Sequence, residues 1–528
     1  MSMPTSAQSK ETSLLSLKPL AAALFGLIVA FHLGCALKGK SFQRASHLGT
    51  ALEYAHGSIN LFRPIIVGFN ATGTPTALEF PVWQAAAALV FKAAHSAWYG
   101  WANLTSLLFF ATALWPFLQL ARQYVGQRAA WWSLIFFLAE PLIIINAGEA
   151  ATDGFSLVVI IWFLFFADKM IRSQSAVWWV PTAVFGALSA VSKLPFFMAA
   201  GLCSICLLFI NGVRTWRPWV LLAAAGAFAS AIFALWTHHT TALAAQAEYP
   251  FEELRLAYNP FMRWWYFGDL HFRLSPGPWI KGGWRFLHGT LGSMPLAILM
   301  IASLLRKGNL FPKAWLLATF LTTLVFTHLV LEHWHYYLMC CPAVALLCGA
   351  TLARWEPFFS QEFSWPRLIP ALAALVLIFS AIEGIISMKI AIDLDSYTAD
   401  VSKVIHDHTQ PTDKLVIYDS GFHPWGGETL FRSERNGLSV AYFKTDPTDP
   451  NTKGLCDLLN DEKDLQRLKS LGYNKLVLIS ESPVQFAAQA INPGSKRIRS
   501  YYPKSISPAV DNWPVAYQTE DIIIKDIP

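Results

Sequence analysis

Charge is what this sequence has least of. Only 14% of its 528 residues are Asp, Glu, Lys or Arg, against 54% hydrophobic ones. A soluble domain carries about 25% charged residues. The deficit excludes a water-exposed globule and means that much of the surface faces lipid. Cysteine is scarce too, at seven residues. Cys35, Cys203, Cys206, Cys340, Cys341 and Cys348 lie in or beside apolar stretches, where cysteine serves as a small packing residue. Cys456 alone falls in the polar C-terminal region, which excludes an internal disulfide there. No CxxC pair has a zinc-like partner and no HExxH occurs, so no metal site is expected. No GxGxxG or GxxxxGK[ST] follows a strand, so no nucleotide or other soluble cofactor is expected either. The net charge of +6 does not point to nucleic acid, because the cations sit in short loops between apolar runs.

What is present is a series of long apolar runs. A hydrocarbon core needs about 20 apolar residues as helix. Spans are expected near 17–37, 101–121, 129–147, 154–169, 177–192, 195–212, 218–237, 289–305, 312–331, 336–353 and 367–389. The first follows Lys10 and Lys18 and is expected to be an uncleaved helix rather than a signal peptide, since it is long enough to span. Cations then alternate from loop to loop. Arg122/Arg128, Lys169/Arg172, Arg214/Arg217, Arg306/Lys307/Lys313 and Arg354/Arg367 share one side, which the positive-inside rule makes cytoplasmic. The outer side receives 38–100, 148–153, Lys193, 238–288, 332–335 and everything after about 390. The short apolar stretch 81–95 is read as a helix lying at, or dipping in from, the outer surface, because a full span there would invert every later loop. The aromatic loop 238–288 reads as an interfacial belt or as a gate over a lipid-linked ligand.

The expected architecture is an α-helical polytopic membrane protein of about eleven transmembrane helices plus juxtamembrane helices, with a small C-terminal α/β domain. The membrane module covers 1–389, with outer loops 38–100 and 238–288, and the extracytoplasmic domain covers 390–528. In the latter, 399–408 and 461–471 read as helices and 414–418 and 475–479 as strands, an alternation that suggests a parallel sheet.

Four polar clusters stand where apolar stretches start or stop, all on the outer side. Asp153 opens the span 154–169. It reads either as an exposed helix cap suited to the dipole or as a functional carboxylate. Glu149, four residues earlier, reads as a surface charge or a secondary candidate. Lys193 ends one apolar run and starts another; it is either a snorkelling lysine or a phosphate ligand. A lone outer lysine opposes the usual bias, which favours function. Glu79 precedes Phe80-Pro81, and the loop before it holds Gln43, Arg44, His47, Glu53 and Arg63. A carboxylate there would take a proton and a basic group would neutralise phosphate. His333-Trp334-His335-Tyr336-Tyr337 reads as an aromatic interface belt or as donors to a phosphate or sugar. Its histidines, two apart, do not share a helix face and are not a helical zinc pair.

In order and spacing these clusters resemble the GT-C class of membrane glycosyltransferases. The pattern is similar to the bacterial relatives of protein O-mannosyltransferases and lipid A aminoarabinose transferases (glycosyltransferase families 39 and 83). That superfamily's acidic-aromatic-proline motif is matched by Glu79-Phe80-Pro81, its later helix-opening acid by Thr152-Asp153-Gly154-Phe155, and its Lys-x-Pro by Lys193-Leu194-Pro195. Its tyrosine-rich late helix start is matched by Tyr336-Tyr337-Leu338 and Cys341-Pro342-Ala343, and its outer domain by Asp413–Ile417 and Leu471–Val477. One departure stands out. Many members carry an Asp-Glu pair early in the first outer loop as catalytic base, whereas this sequence reads Phe42-Gln43-Arg44-Ala45-Ser46-His47.

The resemblance implies transfer of a hexose or pentose from a polyprenyl-phosphate donor to a hydroxyl of a glycan, lipid or protein acceptor, at the outer face of the inner (plasma) membrane. Glu79 or Asp153 would be the base, with Glu53 and His47 as alternatives. Lys193, Arg44, His333, His335 and Tyr336 would hold the donor phosphate. Two rivals remain: a lipid or solute transporter, and a GT-C-like scaffold without activity.

Overall fold

The computed structural model describes residues 17–37, 45–66, 79–96, 98–246, 260–362, 400–419, 427–441, 468–479, 512–519 and 522–528, together with 378, 379, 382, 383, 386 and 466. Two compact units emerge. The first comprises Met1–Lys38, Tyr99–Trp236 and Trp265–Met388; the second comprises Gly39–Trp98, Thr237–Trp264 and Lys389–Pro528.

The first unit is an all-helical bundle. Five described helices are long and apolar enough to cross a membrane on their own: Leu17–Leu37, Tyr99–Val125, Thr152–Ser173, Trp216–Leu243 and Trp334–Glu356. Pro276–Leu291 and Met294–Leu304 together would make a sixth, bent by 99°. Ala176–Ser192, Leu194–Ile210 and Leu310–Val325 are apolar but shorter. A helix therefore lies in each expected interval up to 336–353, and 367–389 falls outside the described residues apart from isolated positions. The fold is that of a multi-pass membrane protein. Leu27, Leu108, Trp115, Phe209 and Leu235 point outward from the helices. In water such a surface would be a liability; in lipid it is the favoured one.

Several expected spans are broken, and prolines account for much of this. Interval 129–147 splits into Gln127–Ala139 and Pro141–Asn146, with Glu140 extended between them (φ −64°, ψ 131°). Pro141 has no N–H to donate, and its ring disfavours a helical Glu140. Interval 312–331 breaks at Phe326 into Leu310–Val325 and Thr327–Glu332. The chain then passes through a 3₁₀ segment, Trp334–Cys340, before the helix Cys341–Glu362. A straight helix through this point would drive the ring of Pro342 into the carbonyl of Leu338. The Cys341 N–H bonds to that carbonyl in the tighter 3₁₀ manner.

The second unit contains the short helices Ala45–His56 and Val82–Ala94, packed on each other, and the C-terminal sheet. At 13 residues, Val82–Ala94 is about 20 Å long, short of the roughly 30 Å hydrocarbon core. The sheet runs β2-β1-β3-β5-β4. Strands β1 (Lys414–Asp419), β2 (Asn436–Ala441) and β3 (Lys475–Ile479) are parallel. Strands β4 (Val515–Gln518) and β5 (Ile522–Asp526) add antiparallel to them at the edge. The expected parallel sheet is thus mixed. A helix over 400–408 covers it, with Val401 and Ile405 packed on Leu415, Ile417, Val477 and Ile524. Of the expected helix 461–471, only 466 and 468–471 are among the described residues.

Candidate active site

In the bundle, three polar residues from distant parts of the chain meet. Asp153 lies in the first turn of Thr152–Ser173 and is wholly buried. Its Oδ1 stands 3.0 Å from Lys193 Nζ and 3.7 Å from His335 Nε2. Lys193 is 7% exposed and His335 8% exposed. Those figures exclude both simpler readings: Asp153 is not a solvent-facing cap and Lys193 does not snorkel to water.

The backbone explains the meeting. Lys193 is the single extended residue (φ −154°, ψ 105°) between Trp179–Ser192 and Leu194–Ile210. Pro195 forces the break, because its ring would collide with the carbonyl of Val191 in a continuous helix. Asp153 is turned inward by the hairpin before it. Gly154 packs so tightly on the carbonyl of Asn146 that a Cβ would lie 2.3 Å from that oxygen. The hairpin is tied down by Asn103 Nδ2 donating to Gly148 O at 2.5 Å and Ser106 Oγ donating to Glu149 O at 2.7 Å. Glu149 itself is buried, not a surface charge.

The 3₁₀ segment supplies the remaining side. Lys193 Nζ lies 5.1 Å from the centroid of the Tyr336 ring, within cation–π range. His335 and Tyr336 have ring centroids 4.7 Å apart, and His333 stands 5.4 Å from His335. Trp265 packs against both His333 and His328 at 5.1 Å, and His328 Nδ1 is 2.9 Å from Trp265 O. Nearby, Glu332 accepts from Lys281 at 2.6 Å and lies 3.5 Å from Arg285 Nη1. Burial would raise the Glu332 carboxyl, but the Lys281 hydrogen bond and the charges of Lys281 and Arg285 outweigh it and hold it below its usual range.

In the second unit a smaller cluster forms. His47 Nε2 is 3.6 Å from Glu79 Oε2, and Gln84 Nε2 is 3.0 Å from His47 Nδ1. The surrounding loop is pinned by Thr50 Oγ1 donating to Ile65 O at 2.7 Å and by Tyr54 OH donating to Asn60 O at 2.6 Å. Burial pushes the Tyr54 phenol up, so it remains a donor. Glu53 is exposed, six residues on from His47 and about 240° round the same helix. The structure therefore does not bring it to this cluster. Arg44 lies outside the described residues. Gln84 was not singled out from the sequence, although a lone amide in an otherwise apolar run was a readable signal. Among the described residues no group of three or more His, Cys, Asp or Glu side chains is arranged to hold a metal ion.

No family model matches the sequence, and neither does any characterised relative. Solved structures do. That of ArnT from Cupriavidus metallidurans bound to undecaprenyl phosphate aligns with a TM-score of 0.59 at 14% identity, over 96% of this chain and 98% of that one. The GT-C fold is shared. The apo state of the same ArnT aligns at 0.57 with the same identity and coverage. The apo form of the Archaeoglobus fulgidus oligosaccharyltransferase aligns at 0.50 and 8% identity, over 88% of this chain and 69% of that one. At these identities the likeness establishes the architecture, and the chemistry must be argued from the residues.

Proposed function

We propose that this GT-C protein is a glycosyltransferase that moves a sugar from a polyprenyl-phosphate donor to an acceptor hydroxyl at the outer face of the plasma membrane. The supporting observation is the buried Asp153–Lys193–His335 cluster at the end of the membrane helices. A buried ion pair contributes little stability, since desolvation cancels much of the attraction. Its presence at the end of membrane helices fits a role in charge chemistry. Lys193 and His335 would take the phosphate of the donor, with Asp153 fixing the ammonium between turnovers and Tyr336 roofing it. His333 is assigned to the same phosphate. The likeness to a transferase seen with undecaprenyl phosphate supports this ligand class.

The step is a substitution. The acceptor oxygen bonds to the anomeric carbon and gives its proton to a carboxylate. The bond from that carbon to the phosphate oxygen breaks, and polyprenyl phosphate leaves with the electron pair. Charge grows on the phosphate, where preorganised cations act most strongly. The resemblance offers two carboxylates for that proton, Glu79 and Asp153. On this reading the arginine-rich loops face the cytoplasm, and the region after about 390 lies outside the cell membrane.

The test is binding followed by transfer. The full chain in nanodiscs is titrated with undecaprenyl phosphate, using undecaprenol as the phosphate-free control. It is then incubated with a panel of radiolabelled polyprenyl-phosphate sugars and envelope extract. Binding that needs the phosphate and is lost in Lys193→Met is expected, with label transfer lost in Asp153→Asn and Glu79→Gln. Equal affinity for undecaprenol and undecaprenyl phosphate would overturn the reading.

A further inference from the structure

The early outer loop lacks the carboxylate pair that the resembled family uses, yet a histidine stands there in contact with Glu79. His47 is engaged at both ring nitrogens: Nε2 by Glu79 at 3.6 Å and Nδ1 by the Gln84 amide at 3.0 Å. An amide N–H at Nδ1 requires that nitrogen to be the bare acceptor, which leaves the ring proton on Nε2, facing the carboxylate. In this state the one ring lone pair, at Nδ1, is taken by the Gln84 amide, so His47 is not the base while that bond holds. It can hold Glu79 in its ionised, proton-accepting form. The reverse amide orientation would put a proton on Nδ1, and Nε2 would then face Glu79 either bare, with Glu79 protonated, or protonated too, as an imidazolium beside the carboxylate.

We propose that Gln84 locks His47 as the Nε2–H tautomer and that His47 is the positioning residue of the proton acceptor Glu79. The role of Glu79 rests on the transferase reading; the tautomer does not. During transfer the acceptor's proton goes to Glu79, and His47 keeps its own throughout. The 3.6 Å separation is long for a hydrogen bond, as such contacts commonly are before substrate is bound. Gln84 suits the locking task because it is itself buried, on the well-packed helix Val82–Ala94 beside the fully buried Trp83.

The experiment is ¹⁵N-histidine NMR on the full chain in nanodiscs, with the His47 signals assigned by their loss in His47→Gln. The wild type is expected to show a protonated Nε2 and a bare Nδ1, and Gln84→Leu to show a mixture of tautomers. A protonated Nδ1 in the wild type, or an unchanged spectrum in Gln84→Leu, overturns the proposal whether or not any sugar is transferred. With a donor from the panel, His47→Leu should lower kcat about 10- to 100-fold, the cost of misorienting a reacting group. Its KM for the donor should not change. His47→Gln, whose Nε2–H reaches the place of the imidazole N–H, should recover most of the loss. Equal defects in the two variants would mean that His47 only packs.

Discussion

The helix Thr152–Ser173 carries a buried carboxylate at each end, and the two are partnered in opposite ways. Asp168, 2% exposed, is served largely from close by. Arg172, one turn on, lies 3.1 Å away with its side chain about a third exposed. Tyr124 OH donates to Asp168, and Asn211 Nδ2 in turn donates to Tyr124 OH at 3.0 Å. The result is a clamp between three helices whose cation keeps contact with water. Asp153 draws its cation from a break between two other helices, and that cation is buried as well. Holding a carboxylate in place needs only donors such as those around Asp168. Burying a lysine beside it adds a desolvation cost that a structural role does not require. The contrast is between an ion pair open to water and one closed from it.

The largest effect should come from breaking the Asp153 pair on one side. Lys193→Met leaves a carboxylate buried against a vacated partner and should cost about 3–5 kcal/mol in unfolding free energy. The double variant Asp153→Asn/Lys193→Met should recover most of that stability, because the charge is gone along with its partner. Transfer in the double variant should stay about 10²- to 10³-fold down, the size of loss seen when one preorganised electrostatic group is removed. Thermal unfolding in nanodiscs and label transfer are measured side by side. Transfer restored together with stability would make the Asp153 pair a second fastening and dissolve the contrast.

Asp168→Asn is the matched control. It keeps the shape and loses the charge-assisted bonds from Tyr124 and Arg172, so unfolding should be easier by about 1–3 kcal/mol. Transfer per folded molecule should not change. A loss of turnover as large as that of Asp153→Asn, after correction for the folded fraction, would show that the two ends are not distinct.

The sequence made one part of this legible and hid another. Helix positions could be read because lipid demands long apolar runs, and Asp153, Lys193 and His335 could be picked out because each stands where such a run starts or stops. Their convergence to within 4 Å could not be read, since it depends on proline-imposed breaks at Pro195 and Pro342 and on Gly154 letting the hairpin close. Burial could not be read for the same reason. A charge at the end of an apolar run looks exposed until neighbouring helices close over it: the surface-charge reading of Glu149 fails, and of the two readings of Asp153 the exposed cap is the one excluded. Strands β2, β4 and β5 were missed where β1 and β3 were found. Asn436–Ala441 is interrupted by Gly437 and Ser439, and Val515–Gln518 is a short, largely exposed edge, so neither has a continuous apolar run; β5 has one, Ile522–Ile524, but only three residues long.

Glu332 belongs to a third, more exposed ion pair. It ends the helix Thr327–Glu332, one residue before His333, and its partners Lys281 and Arg285 remain partly exposed. Its carboxyl is held below the ordinary value of 4.5 in the folded protein, since the Lys281 bond outweighs partial burial. A depressed folded-state value means that the contribution to stability is complete above the unfolded value and is lost as pH falls through the lower folded one. Wild type and Glu332→Gln should therefore unfold at different temperatures near pH 7 and converge only in acid below the depressed folded-state value, where both carry a neutral group. The gap at pH 7 should stay under about 1 kcal/mol, because solvent screens a half-exposed pair. Raising the ionic strength to about 1 M should shrink it further, while leaving the cost of Lys193→Met nearly untouched, since salt does not reach a buried pair. A Glu332→Gln gap that ignores both acid and salt would place that ion pair with the buried centre instead of with the surface.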